Sequence, residues 1–269
     1  MNYFPISIAL GRINEIEWGI TPTEWLNTHW HVRCNNIVIA EPSSTFFVFL
    51  LAFVILFVSI KFLRQANHQK SRILFGLSML AWSISTVSAG VSYQIFSYEL
   101  KCATRVICLW TTPWEIAYLF FYVISVKLLV LAIGACCVSD RARWFINSYA
   151  FLMGALYSLM LIIGVSIPNQ FLLSFEFMVV FLVPSYLLMF IINGLNYKKT
   201  KRLLDIRLIK AWLGMLALTM AYFGFYLSQI STWLWQHGIW FNANDVLHIL
   251  LIIWALYVYF KIEKEVVDQ

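Results

Sequence analysis

Seven stretches of this 269-residue chain stay apolar for about as long as a helix needs to cross the hydrocarbon core of a bilayer, roughly 20 residues each. They are residues 44–63, 73–98, 113–138, 144–167, 170–192, 206–234 and 242–260. Lipid offers the backbone no hydrogen-bond partner, so segments of this kind must be helices. They use up most of the chain and leave no room for a soluble domain. Composition agrees, with 61% hydrophobic and 12% charged residues against roughly 45–50% and about 25% in a soluble domain. The expected fold is all-α, an integral-membrane seven-helix bundle over residues 44–260, with an outer interfacial cap (1–43) and a cytoplasmic tail (261–269).

The net charge of +6 matters less than its placement. Lys61, Arg64, Lys70 and Arg72 follow the first segment, and Arg141 and Arg143 follow the third. Lys198, Lys199, Lys201, Arg202, Arg207 and Lys210 follow the fifth, and Lys261 and Lys264 close the chain. In a seven-span topology these four places share one side, which the positive-inside rule makes cytoplasmic, with the N-terminus outside and the C-terminus inside. Basic links facing anionic headgroups need no nucleic-acid partner. Membrane lipids are the expected partners, in a plasma or inner membrane, and the oligomeric state is left open.

Residues 1–43 are too polar to span, and Asn2, Pro5, Arg12, Asn14, Glu15 and Glu17 break up any signal-peptide core. Trp18, Trp25 and Trp30 suit the headgroup level. His29 and His31 flank Trp30 as a candidate metal pair, though a two-residue spacing serves a helix poorly. Of the five cysteines, Cys34, Cys102 and Cys108 fall on the outer side, where any two could form a disulfide.

Polar residues inside the spans are the candidates for chemistry. The second segment carries Ser78, Ser83, Ser85, Thr86, Ser88 and Ser92, whose small side chains also suit close helix contact. In the third, Glu115 sits in the first turn at the positive end of the helix dipole, and Lys127 at mid-span must pair, lose its proton or line water. The fifth holds Glu176 and then Pro184, which is expected to kink it. The seventh opens with Asn242, Asn244, Asp245 and His248, and helical spacing brings the last three to one face. At about 1.5 Å per residue, Ser92, Tyr93, Tyr118, Glu176, Gln229 and His248 lie roughly 6 to 10 Å below the outer surface, with Asp245 and Glu115 a turn above. That layer is expected to form a polar cavity in the outer half. It could hold zinc, work as a metal-free acid and base pair with His248 oriented by Asp245 or Glu176, or fix helix register as a satisfied network.

The segment NDVLHILLIIWALYVY resembles the seventh helix of the seven-helix hydrolase superfamily of alkaline ceramidases and adiponectin/progestin-type receptors. SAGVSYQIF resembles the outer end of its second helix. The resemblance implies zinc held by a second-helix histidine and a His-x-x-x-His pair on the seventh helix. Here the second histidine of the pair falls on His248, the first on Asn244 and the second-helix histidine on Ser92 or Tyr93. The family also supports the zinc with a serine and an aspartate on the second helix; Ser88 matches the serine, and the second segment has no aspartate. The implied activity is amide or ester hydrolysis of a lipid or small amphiphile at a degenerate zinc site of His248, Asp245 and Glu176, with Ser88 or Tyr93 polarising the substrate. Ser92, Glu115, Tyr118, Lys127, Gln229 and Asn244 would line the rest of the cavity. The alternative is a non-catalytic receptor or assembly subunit on the same scaffold. A retinal protein would need a lysine well inside the last segment, whereas Lys261 is at its edge, and neither broken helices nor half-repeats point to a transporter.

Overall fold

The computed structural model describes residues 13–35 and 37–268, so residues 1–12 of the expected cap lie outside the described residues. Seven long helices dominate: α1 (Pro42–Arg64), α2 (Lys70–Ala89), α3 (Pro113–Cys137), α4 (Asp140–Ser166), α5 (Phe175–Thr200), α6 (Leu203–Leu227) and α7 (Ala243–Tyr257). α2 and α7 each run on through π-type turns, to Ile95 and Ile262. All seven are long and apolar enough to cross a membrane, and the chain is a multi-pass membrane protein.

Two expected segments need correction. The fifth helix starts at Phe175 rather than 170, where Ser174 caps it by accepting the Phe177 amide proton at 3.1 Å. At its other end it continues to Thr200, because Lys198 and Lys199 favour the negative end of the helix dipole. The expected sixth segment is two helices, since the backbone turns left-handed at Gln229 (φ 55°) and a short helix, Ile230–Gln236, follows.

Six helices form a closed ring in the order α1, α2, α3, α5, α6, α7, and α4 packs outside it on α3. Serines tie the closest neighbours by donating to backbone carbonyls across helices. Ser59 reaches Gly76 at 2.8 Å, Ser83 reaches Ala52 at 2.9 Å, Ser78 reaches Ser125 at 2.8 Å and Ser85 reaches Tyr118 at 2.9 Å. Gly76 lets α1 approach so closely that a Cβ there would lie 2.6 Å from Leu63 Cγ.

At one end, the capped end, an antiparallel hairpin of β1 (His31–Cys34) and β2 (Ile37–Ala40) joins the short helices Pro22–Thr28 and Ser97–Lys101. The cap has its own core, in which Trp25 is fully buried beside the Cys102–Cys108 disulfide. Trp25 is therefore no headgroup anchor, and Cys34 is left free and exposed. At the other end, the basic end, the last residues lie against the bundle rather than trailing from it. Arg72 bonds the Val266 carbonyl at 2.8 Å and Arg207 pairs with Glu265 at 2.9 Å.

Candidate functional site

The start of α7 folds as the sequence implies, then turns its polar groups toward α1. Asn242 caps the helix by accepting from the amides of Asn244 and Asp245 at 2.8 and 3.2 Å, and Asp245 accepts in return from the Asn242 amide at 2.7 Å. The two oxygens of Asp245 also accept from the hydroxyls of Ser43 and Ser44, both at 2.9 Å. Asn244 donates to Glu41 at 3.0 Å. These bonds lock the starts of α1 and α7 together. Burial raises the Glu41 carboxyl pKa, and the nearby Asp245 adds to this, against hydrogen bonds from Asn244, Asn242 and Ser44.

His248, one turn on, is buried, and its Nδ1 has no hydrogen-bond partner among the described residues. The expected convergence with acids does not occur. Asp245 is engaged by the α1 serines, Glu176 is exposed in the first turn of α5, and Gln229 is exposed beyond the end of α6. Both last displacements follow from the shifted helix ends. Among the described residues no three His, Cys, Asp or Glu side chains gather closely enough to hold a metal ion. The set His248, Asp245 and Glu176 therefore does not fit zinc. His29 and His31 both turn Nδ1 to backbone carbonyls. His29 stacks on Trp25 at 4.3 Å, and His31 Nδ1 lies 2.9 Å from the His29 carbonyl. Burial lowers the His29 pKa, and Lys101 and His31 nearby lower it further, against a hydrogen bond to Trp25.

A second cluster does assemble, around a residue that sequence reasoning missed. Glu115 pairs with Lys101 at 2.6 Å, both side chains almost wholly buried. Ser92 donates to Glu115 at 2.8 Å and lies 2.6 Å from the Thr112 hydroxyl. Lys101 Nζ also sits 5.0 Å from the Tyr93 ring and 5.4 Å from that of Trp18. The available signal was a lone lysine beside a cysteine, on the side that most of the basic residues avoid. Ser88 takes no part, since it donates to the Ile84 carbonyl of its own helix at 3.0 Å.

Tyrosines continue inward from this cluster. Tyr93, 38% exposed, stands edge-on to Tyr118 at 6.0 Å, Tyr118 is 6.2 Å from Tyr122, and the Tyr122 and Tyr186 hydroxyls are 3.5 Å apart. The last pair borders a cavity of about 20 Å³ lined by residues of α2, α3, α5, α6 and α7. Ser78 and Ser125 supply further hydroxyls, and Trp82, Trp212 and Trp254 the apolar walls. That volume holds about one water molecule.

Lys127 has its partner on α5. Its Nζ donates to Ser185 Oγ at 2.6 Å, Tyr149 OH lies 3.0 Å from the same oxygen, and the Tyr149 and Phe181 rings are 5.5 and 5.3 Å from Nζ. This joins α3, α4 and α5 away from the central cavity. Comparison of the chain with protein-family models, curated proteins and solved structures returned no match.

Proposed function

We propose that this is a non-catalytic seven-helix membrane protein that receives a small amphiphile through its capped end. The observation that carries the reading is the cavity where five helices meet, bordered by tyrosine and serine hydroxyls and walled by indoles. Apolar walls with a few placed polar groups are what small-molecule sites share. The cavity as it stands is too small for an amphiphile, so Tyr122 and Tyr186 must part to admit one. Their 3.5 Å contact is longer than a normal hydroxyl bond and costs little to break. Tyr93 and Tyr118 mark the way in. The capped end faces outward: basic residues crowd the opposite end, and the disulfide lies in the cap while Cys136 and Cys137 at the basic end are free. A ceramidase-like hydrolase keeps in its favour only the open nitrogen of His248, and its zinc ligands do not converge.

Tryptophan emission of the detergent-solubilised protein, titrated with a long-chain N-acyl amide and with a long-chain fatty acid, tests the proposal. A saturable change for one of them, weakened when both Tyr122→Phe and Tyr186→Phe are present, is expected. A linear response, or an identical curve in the double variant, contradicts ligand entry there. Stoichiometric zinc lost in His248→Ala would overturn the non-catalytic reading.

A further inference from the structure

The basic end holds a larger hollow, a groove of about 340 Å³ between the start of α2, the end of α3 and the start of α4. Its charged and polar wall is Lys70, Arg143 and Asn147, and its apolar wall is Leu74, Leu131 and Ala135. The volume falls within the range of small-molecule sites, roughly 300–1,000 Å³. One anion already lies in it. The Asp268 carboxylate accepts from the amides of Lys70 and Ser71, at 2.8 and 2.7 Å, across the N-terminus of α2. Burial raises the Asp268 pKa, but the Ser71 hydroxyl, the two amides and the Arg143 guanidinium together bring it below the ordinary carboxylate value. The site therefore favours negative charge over protonated acid. Trp144 and Phe145, next to Arg143, are 65% and 64% exposed, as aromatic side chains at headgroup depth would be.

We propose that this groove binds the phosphate of an anionic membrane lipid, its chains leaving along the Leu74 and Leu131 wall, and that Asp268 is the built-in competitor for the same site. Lys70 supplies the uncommitted charge, while Arg143, which pairs with Asp140 at 2.9 Å and donates to the Gly134 and Val138 carbonyls, is held at the groove's edge; the amides of the α2 N-terminus receive the phosphate once the tail lifts. Basic pockets between transmembrane helices on the cytoplasmic side suit phospholipid headgroups. Because Asp268 is tethered, lipid has to displace it, and the tail then reports occupancy. The inference rests on the membrane reading and not on the ligand proposed for the central cavity.

The test uses the whole 269-residue chain, equilibrated with bilayers of phosphatidylcholine containing phosphatidylglycerol and repurified, with co-purifying lipid counted by mass spectrometry. Phosphatidylglycerol should be retained over phosphatidylcholine. Lys70 is exposed, so Lys70→Gln should fold normally and lower that retention about fivefold, the worth of one basic residue at an anionic surface. Asp268→Asn should raise it. Inorganic phosphate and glycerol phosphate, added as free anions, should not displace the lipid. Equal retention of the two lipids, or retention unmoved by both variants, overturns the site. Displacement by free phosphate would reassign it to a soluble anion and overturn the lipid.

Discussion

Burial without water makes the cost of each polar residue depend on its partner, and two buried lysines illustrate the point. Lys101 faces a carboxylate at 2.6 Å; removing either member leaves an uncompensated charge, which costs about 3–5 kcal/mol. Lys101→Met should therefore lower the unfolding midpoint in detergent sharply, while Lys101→Met combined with Glu115→Leu should recover most of the loss. Equal losses in the single and double variants would mean that the pair does not act as a unit. Lys127 faces a hydroxyl and two rings instead. Ser185→Ala should cost about 1–3 kcal/mol by leaving the ammonium without its acceptor, whereas Lys127→Met should be neutral or stabilising. A large loss in Lys127→Met with no change in fold would give that lysine a role beyond tying α3 to α5. Glu41 gives stability a pH dependence. Its pKa is raised above the ordinary 4.5 in the folded protein, so its contribution to stability is complete below that value and is lost as pH rises through the folded value. Glu41→Gln should gain on the parent chain as pH rises past that point and match it in acid; parallel melting curves would contradict this.

At the scale of elements, the seven spans were legible because apolar length alone dictates a helix in lipid, and α3 begins at Pro113 as the sequence implies. The hairpin was not, because strands of four residues such as His31–Cys34 are too short to show a period; only the turn carried a signal, at left-handed Asn35. The candidate layer around His248 was partly legible. Counting residues from a helix end estimates depth but not facing, so it could show neither that Ser92 bonds Glu115 nor that Asp245 turns to the α1 serines. For Glu176 and Gln229 even the depth moved, since each lies at a helix end that apolarity does not mark. Serine content in α2 was correctly readable as helix contact, and Gly76 is where that contact is tightest. Gly76→Ala should cost about 1–3 kcal/mol from overpacking, and Leu63→Ala in the same chain should relieve part of it. An unchanged midpoint for Gly76→Ala would show that α1 and α2 can separate freely.

For the whole molecule, the two ends differ in kind. One carries a disulfide-closed cap pinned to the bundle by a buried ion pair, and the other carries the basic links and a docked tail. Every functional reading above assumes that these ends face different compartments, with the cap outside. Cys34, free and exposed in the cap, gives a direct probe. Intact cells expressing the protein are treated with a membrane-impermeant maleimide, beside a variant in which Lys198→Cys adds a thiol at the basic end and Cys34→Ser removes the one in the cap. Cys34 should label in intact cells, and the Lys198→Cys variant only after the membrane is opened. Labelling of that variant in intact cells, with Cys34 protected until permeabilisation, would invert the topology and contradict the orientation on which both proposed sites depend.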